Sequence, residues 1–390
     1  MKKLIPLAVV LCLCLMLIVA CGNGDDDTPV ATPAPEVTDP VTPDEEPPVE
    51  AIPVPEPVEP GDDGVREIRL AAHNAVVDGN TYRIRYEADI AEAVADAVRF
   101  GFNIQHSTFV SNWDASTEAE QIRASIDSGV DIILVNPVAS TGLDPLIEMA
   151  QAAGILWVNA DVIYTSPYVD ILNIATDQEY LGYRTAMEAG RVLGSGARVL
   201  MVEAMPGNVA NEDRQRGFER GIEYWGFDVV ATGYHNWASD LALSTMTELL
   251  NSGVEFDGVL ISQVADAALT AFENTGAPLP RFMGFHDSGD WMQRMITLNE
   301  DEHVMDFLVL SNPPGVGATA LNFGLNILLG REMRTDIFDD DSINSILIPP
   351  RIWFNYDNME DYREMAFAMA PGDAISFWLD VDEVNEQFFR

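Results

Sequence analysis

The chain has 390 residues, of which 63 are acidic and 21 basic, so its formal net charge is −42. Hydrophobic residues make up 47% of it, which is too large a share for a disordered chain. The acidity argues against a nucleic-acid partner, because binding to phosphates depends on clustered Lys and Arg side chains. A core-forming protein that does not bind nucleic acid remains.

The first twenty residues have the pattern of an export signal. Lys2 and Lys3 are the only lysines, and they precede an apolar run over residues 4–20 that is short for a transmembrane helix. The run ends in Ala20-Cys21-Gly22, which resembles the lipobox of bacterial lipoproteins. This resemblance implies cleavage before Cys21, lipidation of its thiol and anchoring to the cell membrane outside the cytoplasm. The alternative is an uncleaved signal anchor with an incidental cysteine.

The cysteine count bounds the covalent chemistry of the mature chain. Cys12 and Cys14 lie in the predicted signal peptide, so only Cys21 survives its removal. An intramolecular disulfide is then excluded, and we expect packing alone to stabilise the fold.

A proline-rich acidic segment follows. Residues 22–64 contain eleven prolines, thirteen acidic residues and no basic residue. We expect residues 21–64 to be the lipidated cysteine followed by a disordered, extended linker, whose ~40 residues can reach about 100 Å. The alternative is a peptide ligand for a proline-binding module.

The remaining residues, 65–390, alternate short apolar runs with amphipathic stretches, which is typical of repeated βα units in an α/β fold. We expect two Rossmann-like subdomains, each with a doubly wound parallel sheet, and a ligand site beyond the carboxyl ends of the strands. Nine strands are predicted: Glu67–Ala72, Asn103–Thr108, Asp131–Asn136, Leu156–Asn159, Val199–Glu203, Val229–Thr232, Gly258–Ser262, Phe282–Phe285 and Asp306–Leu310.

Helices are predicted between these strands from apolar side chains that recur three and four residues apart. One stripe comprises Ile90, Ala93, Val94, Ala97 and Val98. A second comprises Leu241, Leu243, Met246, Leu249 and Leu250.

The common enzyme signatures are missing. The sequence has no Walker-type loop, no G-x-G-x-x-G after the first strand, no H-E-x-x-H and no G-x-S-x-G. Its five histidines lack metal-ligand spacing, and the acidic run over residues 336–344 lacks the pattern of a calcium loop, so a solvated turn is expected there. We expect no cofactor, no metal and no catalysis, although paired carboxylates are too numerous for a glycosidase to be excluded.

Several segments, in order, carry a family resemblance. They are Asp131-Ile132-Ile133-Leu134-Val135-Asn136-Pro137, Ala153-Gly154-Ile155, Trp157-Val158 with Asp161, Arg214 with Arg216-Gly217-Phe218, Met283-Gly284-Phe285-His286-Asp287, and Gly315 with Gly317-Ala318. With these the chain resembles type I periplasmic binding proteins, in particular the ribose-binding-like sugar receptors of ABC importers.

The resemblance implies two subdomains joined by three crossover strands, with a ligand in the cleft and closure about the hinge. The corresponding boundaries are 65–175 with 309–338 for the N-terminal subdomain and 176–308 with 339–390 for the C-terminal one. It also implies a small sugar-like ligand, recognition of the closed form by permease subunits, and a monomer.

Positions that match the family's ligand-binding residues are predicted to form the site. In the first half of the chain these are Asn80, Tyr82, Tyr86 and Asp161. The alternative is that Tyr86 is a core residue and Arg83 or Arg85 a solvated charge, and that Asp161 is a cap. The family's arginine after the aspartate is Val162 here, which removes one bidentate donor.

The second half is predicted to supply Arg214, Trp237, Gln263, Asp266, His286, Asp287, Ser311 and Asn312. Arg214 suits vicinal hydroxyls or a carboxylate, and Trp237 suits the C–H face of a sugar ring, with core packing as its alternative. Arg216 is expected on the surface. Because Val264 stands where the family has Asn, Gln263 or Asp266 is expected to substitute for it.

These departures leave three functions open. The first is a lipid-anchored receptor of an ABC importer that binds a sugar, a modified sugar or a nucleoside. The second is a receptor on the same fold that docks on a membrane signalling sensor. The third is a secreted glycosidase with paired carboxylates astride a cleft.

Overall fold

The structure is a computed structural model that describes residues 54–77, 80–166, 171–337 and 344–390. The predicted signal peptide (1–20), Cys21, most of the predicted linker and most of the acidic run at 336–344 lie outside these residues. Within the described residues no helix combines the length and hydrophobicity needed to cross a bilayer.

The N-terminal sheet has six parallel strands in the order β11-β5-β4-β3-β1-β2. Its strands are β1 (Arg66–Asn74), β2 (Phe102–Val110), β3 (Ile132–Asn136), β4 (Leu156–Ala160), β5 (Leu172–Thr176) and β11 (Ser345–Ile348). The three central strands β3, β4 and β5 are buried along their whole length, because helices cover both faces of the sheet.

The C-terminal sheet repeats this order as β12-β10-β9-β8-β6-β7. Its strands are β6 (Arg198–Glu203), β7 (Asp228–Tyr234), β8 (Gly258–Ile261), β9 (Phe282–His286), β10 (Asp306–Leu310) and β12 (Trp353–Asn355). Only the edge strand β12 is antiparallel to its neighbour.

Eleven α-helices connect and flank the strands of the described residues. They are α1 (Thr81–Asp96), α2 (Ala115–Ser128), α3 (Asp144–Ala152), α4 (Gln178–Leu193), α5 (Val209–Trp225), α6 (Ser239–Asn251), α7 (Ala265–Thr275), α8 (Gly289–Leu298), α9 (Val316–Leu328), α10 (Arg363–Ala368) and α11 (Val381–Phe388). Short 3₁₀ helices cover Ala97–Phe100, Thr335–Ile337 and Tyr356–Tyr362.

The fold class predicted from the sequence is confirmed, since two parallel-sheet α/β subdomains are present. All nine predicted strands exist, with ends shifted by up to two residues. The predicted apolar stripes are only partly buried. Val98 lies in the 3₁₀ helix after α1 and is 66% exposed, and Leu241 is 39% exposed.

Helices α4 and α5 pack closely enough to require glycine on both sides. A Cβ on Gly182 would lie 2.0 Å from the Arg214 carbonyl oxygen, and a Cβ on Gly217 would lie 2.0 Å from that of Glu179. This approach fixes the helix that carries Arg214 against the start of α4.

The chain passes between the subdomains three times in the way the family resemblance implied. The first passage leads from β5 into α4, the second from β10 through residues 311–315 into α9, and the third from β11 into β12. Backbone hydrogen bonds join the third passage to the other two. The Ser311 N–H, in the second passage, donates to the Ile352 carbonyl at 3.0 Å, and the Asp177 N–H, in the first, donates to the Ile348 carbonyl at 3.1 Å.

A fourth passage was not predicted. Ile375 belongs to the core of the C-terminal subdomain, whereas Leu379 belongs to the core of the N-terminal one. The predicted assignment of residues 339–390 as a whole to the C-terminal subdomain is therefore wrong, because β11 pairs with β5 and α11 packs on α9.

The expected start of the folded part at residue 65 also differs from the structure. Val58 packs against the N-terminal core and donates its N–H to the Leu328 carbonyl at 2.9 Å. The end of the proline-rich segment is thus attached to the subdomain, because this valine has an apolar surface to cover.

Candidate functional site

The carboxyl ends of the strands of the two sheets carry most of the predicted site residues. On the N-terminal side Asp161 follows β4 with a φ of 70°. Its carboxylate forms an ion pair with Arg83 at 2.8 Å, and each of these side chains is only 11% exposed. Left-handed backbone at a non-glycine residue is costly and is found more often at functional sites.

Two further polar groups complete this cluster. Tyr82 donates its hydroxyl proton to Asp161 Oδ1 at 2.9 Å, and burial raises the pKa of Tyr82 well above its ordinary value, so the phenol remains a donor. The side-chain amide of Asn136, at the end of β3, lies beside both Asp161 and the Arg83 guanidinium, and its oxygen is oriented to accept from Arg83. Asp161 is therefore held by Tyr82 and Arg83 of α1, beside Asn136 of β3.

The other two predicted residues of this half have structural contacts. Asn80 caps α1, accepting a hydrogen bond from the Arg83 backbone N–H at 3.0 Å. Tyr86 is 1% exposed and belongs to the hydrophobic core, with the Arg83 guanidinium over its ring at 5.7 Å. Tyr86 is thus a core residue, as the alternative interpretation had it, and its ring also packs against Arg83.

Arg214 is the centre of the C-terminal side of the site. It is 2% exposed, and its guanidinium lies 5.0 Å from the ring centre of Trp237 and 5.4 Å from that of Phe285. Its Nε donates to Gln178 at 2.7 Å, while Nη1 is buried without a partner. Burial lowers the pKa of Arg214 to about 10, so the side chain is still a cation at neutral pH.

No carboxylate of the described residues lies within 4.0 Å of this cation. The charges that favour it from further away include Asp287 in the same subdomain and Asp161 in the other. Arg214 therefore faces the same space between the subdomains as the Asp161 cluster.

Hydrogen bonds connect Arg214 to the second passage. Gln178 donates its side-chain amide to Asn312 Oδ1 at 3.0 Å, and the Asn312 backbone N–H donates to Asp287 at 2.7 Å. Asp287 is 1% exposed, and burial raises its pKa above the ordinary value. Ser311 is fully buried against Ile352.

His286 and Asp266 form a second contact between polar side chains, on the far side of the candidate site from Asp161. Nε2 of His286 lies 3.2 Å from Asp266 Oδ1. Burial acts against ionisation of Asp266, but the hydrogen bond from His286 holds the pKa of Asp266 below its ordinary value. Gln263, with a φ of 69°, donates its backbone N–H to the Phe285 carbonyl at 2.9 Å.

Trp237 is held by a strained loop between β7 and α6. Asn236 and Trp237 have φ values of 47° and 64°, so two successive non-glycine residues are left-handed. The Trp237 backbone N–H donates to Nδ1 of His235, which is itself fully buried. This loop fixes the indole over Arg214, and Arg216 lies on the surface as predicted, with 58% of its side chain exposed.

Four residues of the site were not predicted as site residues from sequence: Arg83, Asn136, Gln178 and Phe285. The alternative considered from sequence had Arg83 or Arg85 as a solvated charge, but Arg83 pairs with Asp161. Gln178 and Phe285 hold Arg214 in place. The signal available for Arg83 was its position one residue after Tyr82 at the start of the helix that follows β1.

This arrangement forms a candidate interdomain site, whose groups suit a compact polar molecule with a partly apolar face. The Arg214 guanidinium can donate to the ligand and the Asp287 carboxylate is a candidate acceptor, and the Trp237 ring can cover C–H groups. Two α/β lobes with such a cleft define the class of solute-binding proteins.

Comparison with known proteins gives the family. The sequence model of the periplasmic binding protein domain matches residues 75–332. The chain belongs to this family, as a type I periplasmic binding protein of the ribose-binding type.

Similar curated proteins include the xylitol-binding protein of Mycolicibacterium smegmatis, 27% identical over 197 residues, which are 47% of this chain and 56% of that protein. The chain thus spans little more than half the length of this relative. The ribose import binding protein RbsB of Bacillus subtilis is 26% identical over 226 residues, which are 57% of this chain and 72% of that protein.

A similar solved structure is an ABC transporter periplasmic solute binding protein from Actinobacillus succinogenes with bound D-allose. It has a TM-score of 0.64 and 19% identity, and covers 76% of this chain and 100% of its own. This likeness supports the fold.

Proposed function

We propose that the chain is an extracytoplasmic receptor that binds a sugar or a sugar-like polyol in the cleft between its subdomains and delivers it to an ABC importer. The observation that carries this proposal is the buried Arg214, which has no carboxylate partner within 4.0 Å among the described residues and an unpartnered Nη1. A buried cation in this state gains several kcal/mol from a ligand that completes its hydrogen bonds, on the order of 1.5–3 per charged bond.

The neighbours of Arg214 favour a hydroxyl-bearing ligand. A hydroxyl group accepts from Arg214 through its oxygen and donates to Asp287 through its proton, so it serves both buried charges at once. An aromatic ring lies on each of two sides of the guanidinium, and Trp237 is half-buried, so part of its ring is available to the C–H groups of a ring-shaped ligand.

The relatives support the same ligand class. One is named for xylitol and others for ribose, and one solved structure has bound D-allose. These ligands are neutral and carry hydroxyl groups on successive carbons, which suits the fork of Arg214.

The sequence supports the anchor and the transport role. Lipidation of Cys21 and the acidic, proline-rich segment after it would hold the receptor at the membrane beside permease subunits. In this proposal the ligand-free receptor is a monomer that closes about its hinge when the ligand binds.

The test is a thermal-shift screen of the full chain in detergent against pentoses, hexoses, pentitols, inositols and nucleosides. A ligand at 100 times its dissociation constant adds about 2.7 kcal/mol to the free energy of unfolding, enough to raise the melting temperature by a few degrees. We expect a selective response to one sugar or polyol group.

Arg214→Met and Arg216→Met make a matched pair on one helix. We expect the shift to vanish in the first variant and to persist in the second, because Arg216 is exposed and pairs with Asp213 and Glu179. No response to any polyhydroxy compound, or hydrolysis of chromogenic glycosides by the pure protein, would contradict the proposal.

A further inference from the structure

The fourth passage between the subdomains is short and tightly held. Residues 376–378 lie between Ile375, in the C-terminal core, and Leu379, in the N-terminal core, and Phe377 and Trp378 already pack against the N-terminal core. Residues 333–390 lie outside the segment matched by the family model. We call residues 376–378 the strap.

The chain before the strap is fixed to the C-terminal subdomain beside the site. The Ile375 N–H donates to the carbonyl of Asp287 at 3.0 Å, and the Gly289 N–H donates to that of Asp373 at 2.8 Å. A Cβ on Gly289 would lie 2.3 Å from the Ala370 carbonyl oxygen, so this segment runs directly over the start of α8.

The chain after the strap is fixed to the N-terminal subdomain by buried polar side chains of α9. Leu379 donates its N–H to Thr319 Oγ1 at 3.1 Å, and its carbonyl accepts from Asn322 at 2.7 Å. Asn326 donates to the Val381 carbonyl at 3.0 Å. All three α9 side chains are at most 1% exposed, which makes these hydrogen bonds costly to break.

Ser376 joins three elements at the crossing point. Its hydroxyl donates to the carboxylate of Asp89 on α1, and its oxygen accepts from the Gly315 N–H at 3.0 Å. Asp89 is fully buried and lies on the helix that presents Tyr82 and Arg83. The strap therefore ties the second passage to the helix that carries the N-terminal half of the site.

The backbone of the strap also contacts the backbone of the second passage directly. A Cβ on Gly315 would lie 2.1 Å from the Phe377 carbonyl oxygen. Any rotation of one subdomain relative to the other must move these two segments past each other or stretch the strap between its two anchored ends.

We propose that the strap limits how far the cleft opens, and that Ser376 is the positioning residue that holds α1 at the second passage. Because Phe377 and Trp378 pack against the N-terminal core, the crossing from Ile375 to Phe377 has little slack, so separation of the subdomains stretches it and the strap raises the fraction of ligand-free protein that is already closed. Apparent affinity increases in proportion to that fraction. This inference concerns the equilibrium between open and closed forms and holds for any ligand of the cleft.

The test measures the separation of the subdomains without ligand. Spin labels are attached at Ser116→Cys and Ser239→Cys, on the exposed first turns of α2 and α6, and report the distance across the cleft. The sample is the full chain in detergent, with Cys12, Cys14 and Cys21 replaced by Ser. Two changes relax the strap: Ser376→Ala, and insertion of two glycines after Ser376, ahead of the residues that pack against the N-terminal core. Ser252→Ala, at an exposed serine of the C-terminal subdomain, is the control.

We expect both strap variants to shift the distance distribution of the ligand-free protein to longer values, and the control to leave it unchanged. With a ligand from the screen, we expect their dissociation constants to rise about three- to tenfold. An unchanged distance distribution in a strap variant that still melts cooperatively would overturn the inference. The distances need no ligand, so this result is separate from failure of the proposed function.

Discussion

The backbone N–H of Trp237 donates to Nδ1 of His235 at 3.1 Å, and Nε2 of the same imidazole lies 2.9 Å from the Ser262 carbonyl oxygen. A carbonyl oxygen only accepts, so Nε2 carries the proton and Nδ1 is the acceptor. The ring must be neutral to hold Trp237, and therefore the indole over Arg214 depends on the protonation state of a buried histidine.

This relationship predicts a loss of stability in mild acid. Burial lowers the pKa of His235 to about 4, and that of His73 likewise to about 4. Between pH 6.5 and 4 the unfolded chain binds more protons than the folded one, so stability is complete above pH 6.5 and is lost as the pH falls towards 4. We expect a loss on the order of 3 kcal/mol per histidine in urea unfolding.

Variants distinguish the loss of stability caused by protonation of His235 from the loss caused by protonation of carboxylates. His235→Asn, whose amide oxygen can still accept from Trp237, should lose less stability between pH 7 and 4.5 than the wild type does. Ser252→Ala, which removes no titratable group, is the control and should leave the difference unaltered. Equal pH dependence in wild type and His235→Asn would contradict the assignment.

The ion pair of Arg83 and Asp161 predicts strong coupling. Removing one partner of a buried pair leaves the other charge uncompensated, which typically costs about 3–5 kcal/mol. We expect Arg83→Met to reduce the free energy of unfolding by an amount of this order, and Arg83→Met with Asp161→Asn to cost clearly less than the sum of the single changes. Arg123→Met, at an exposed arginine of α2, is the control; additive losses would contradict the pairing.

The close approach of α4 and α5 predicts that Gly182→Ala is destabilising. The added methyl group would collide with the Arg214 carbonyl, so the helices must separate, at a cost of about 1–3 kcal/mol. We expect ligand affinity to fall as well, because Arg214 moves with its helix. Gly372→Ala meets only an ordinary contact at 3.5 Å and should be neutral, which thermal unfolding of both variants would check.

The net charge of −42 predicts stabilisation by salt. Added ions screen repulsion between carboxylates, since the screening length falls from about 30 Å at 0.01 M to about 8 Å at 0.15 M. We expect the melting temperature to rise between 10 mM and 500 mM NaCl. Identical melting temperatures at both concentrations would count against a role for self-repulsion in this fold.

Much of the fold was determined by local sequence patterns. A run such as Ile132–Val135 is apolar on both faces, which is compatible only with a strand covered on both sides, and its order among other such runs defines a parallel α/β architecture. The strands β5, β11 and β12 were not predicted, because each is short and contains a polar residue that bonds within the core.

The site was accessible from sequence only where a position matched a family motif. Such matching pointed to Asp161, Arg214 and Trp237, but it could not show that Arg83 pairs with Asp161. That pair joins residues 78 positions apart, and the hydrogen bond of Gln178 to Arg214 joins residues 36 positions apart. Neither leaves a periodic signal in the chain.

The sequence by itself determined the order of βα units, and with it the two parallel sheets and the edge where a ligand site must lie, because side-chain periodicity and burial are local properties. Only the tertiary structure decided which charges neutralise each other and that residues 376–378 cross between the subdomains. Those outcomes depend on distances between segments that are remote along the chain, and Ser376 and Asp89, 287 positions apart, meet only when both cores have formed.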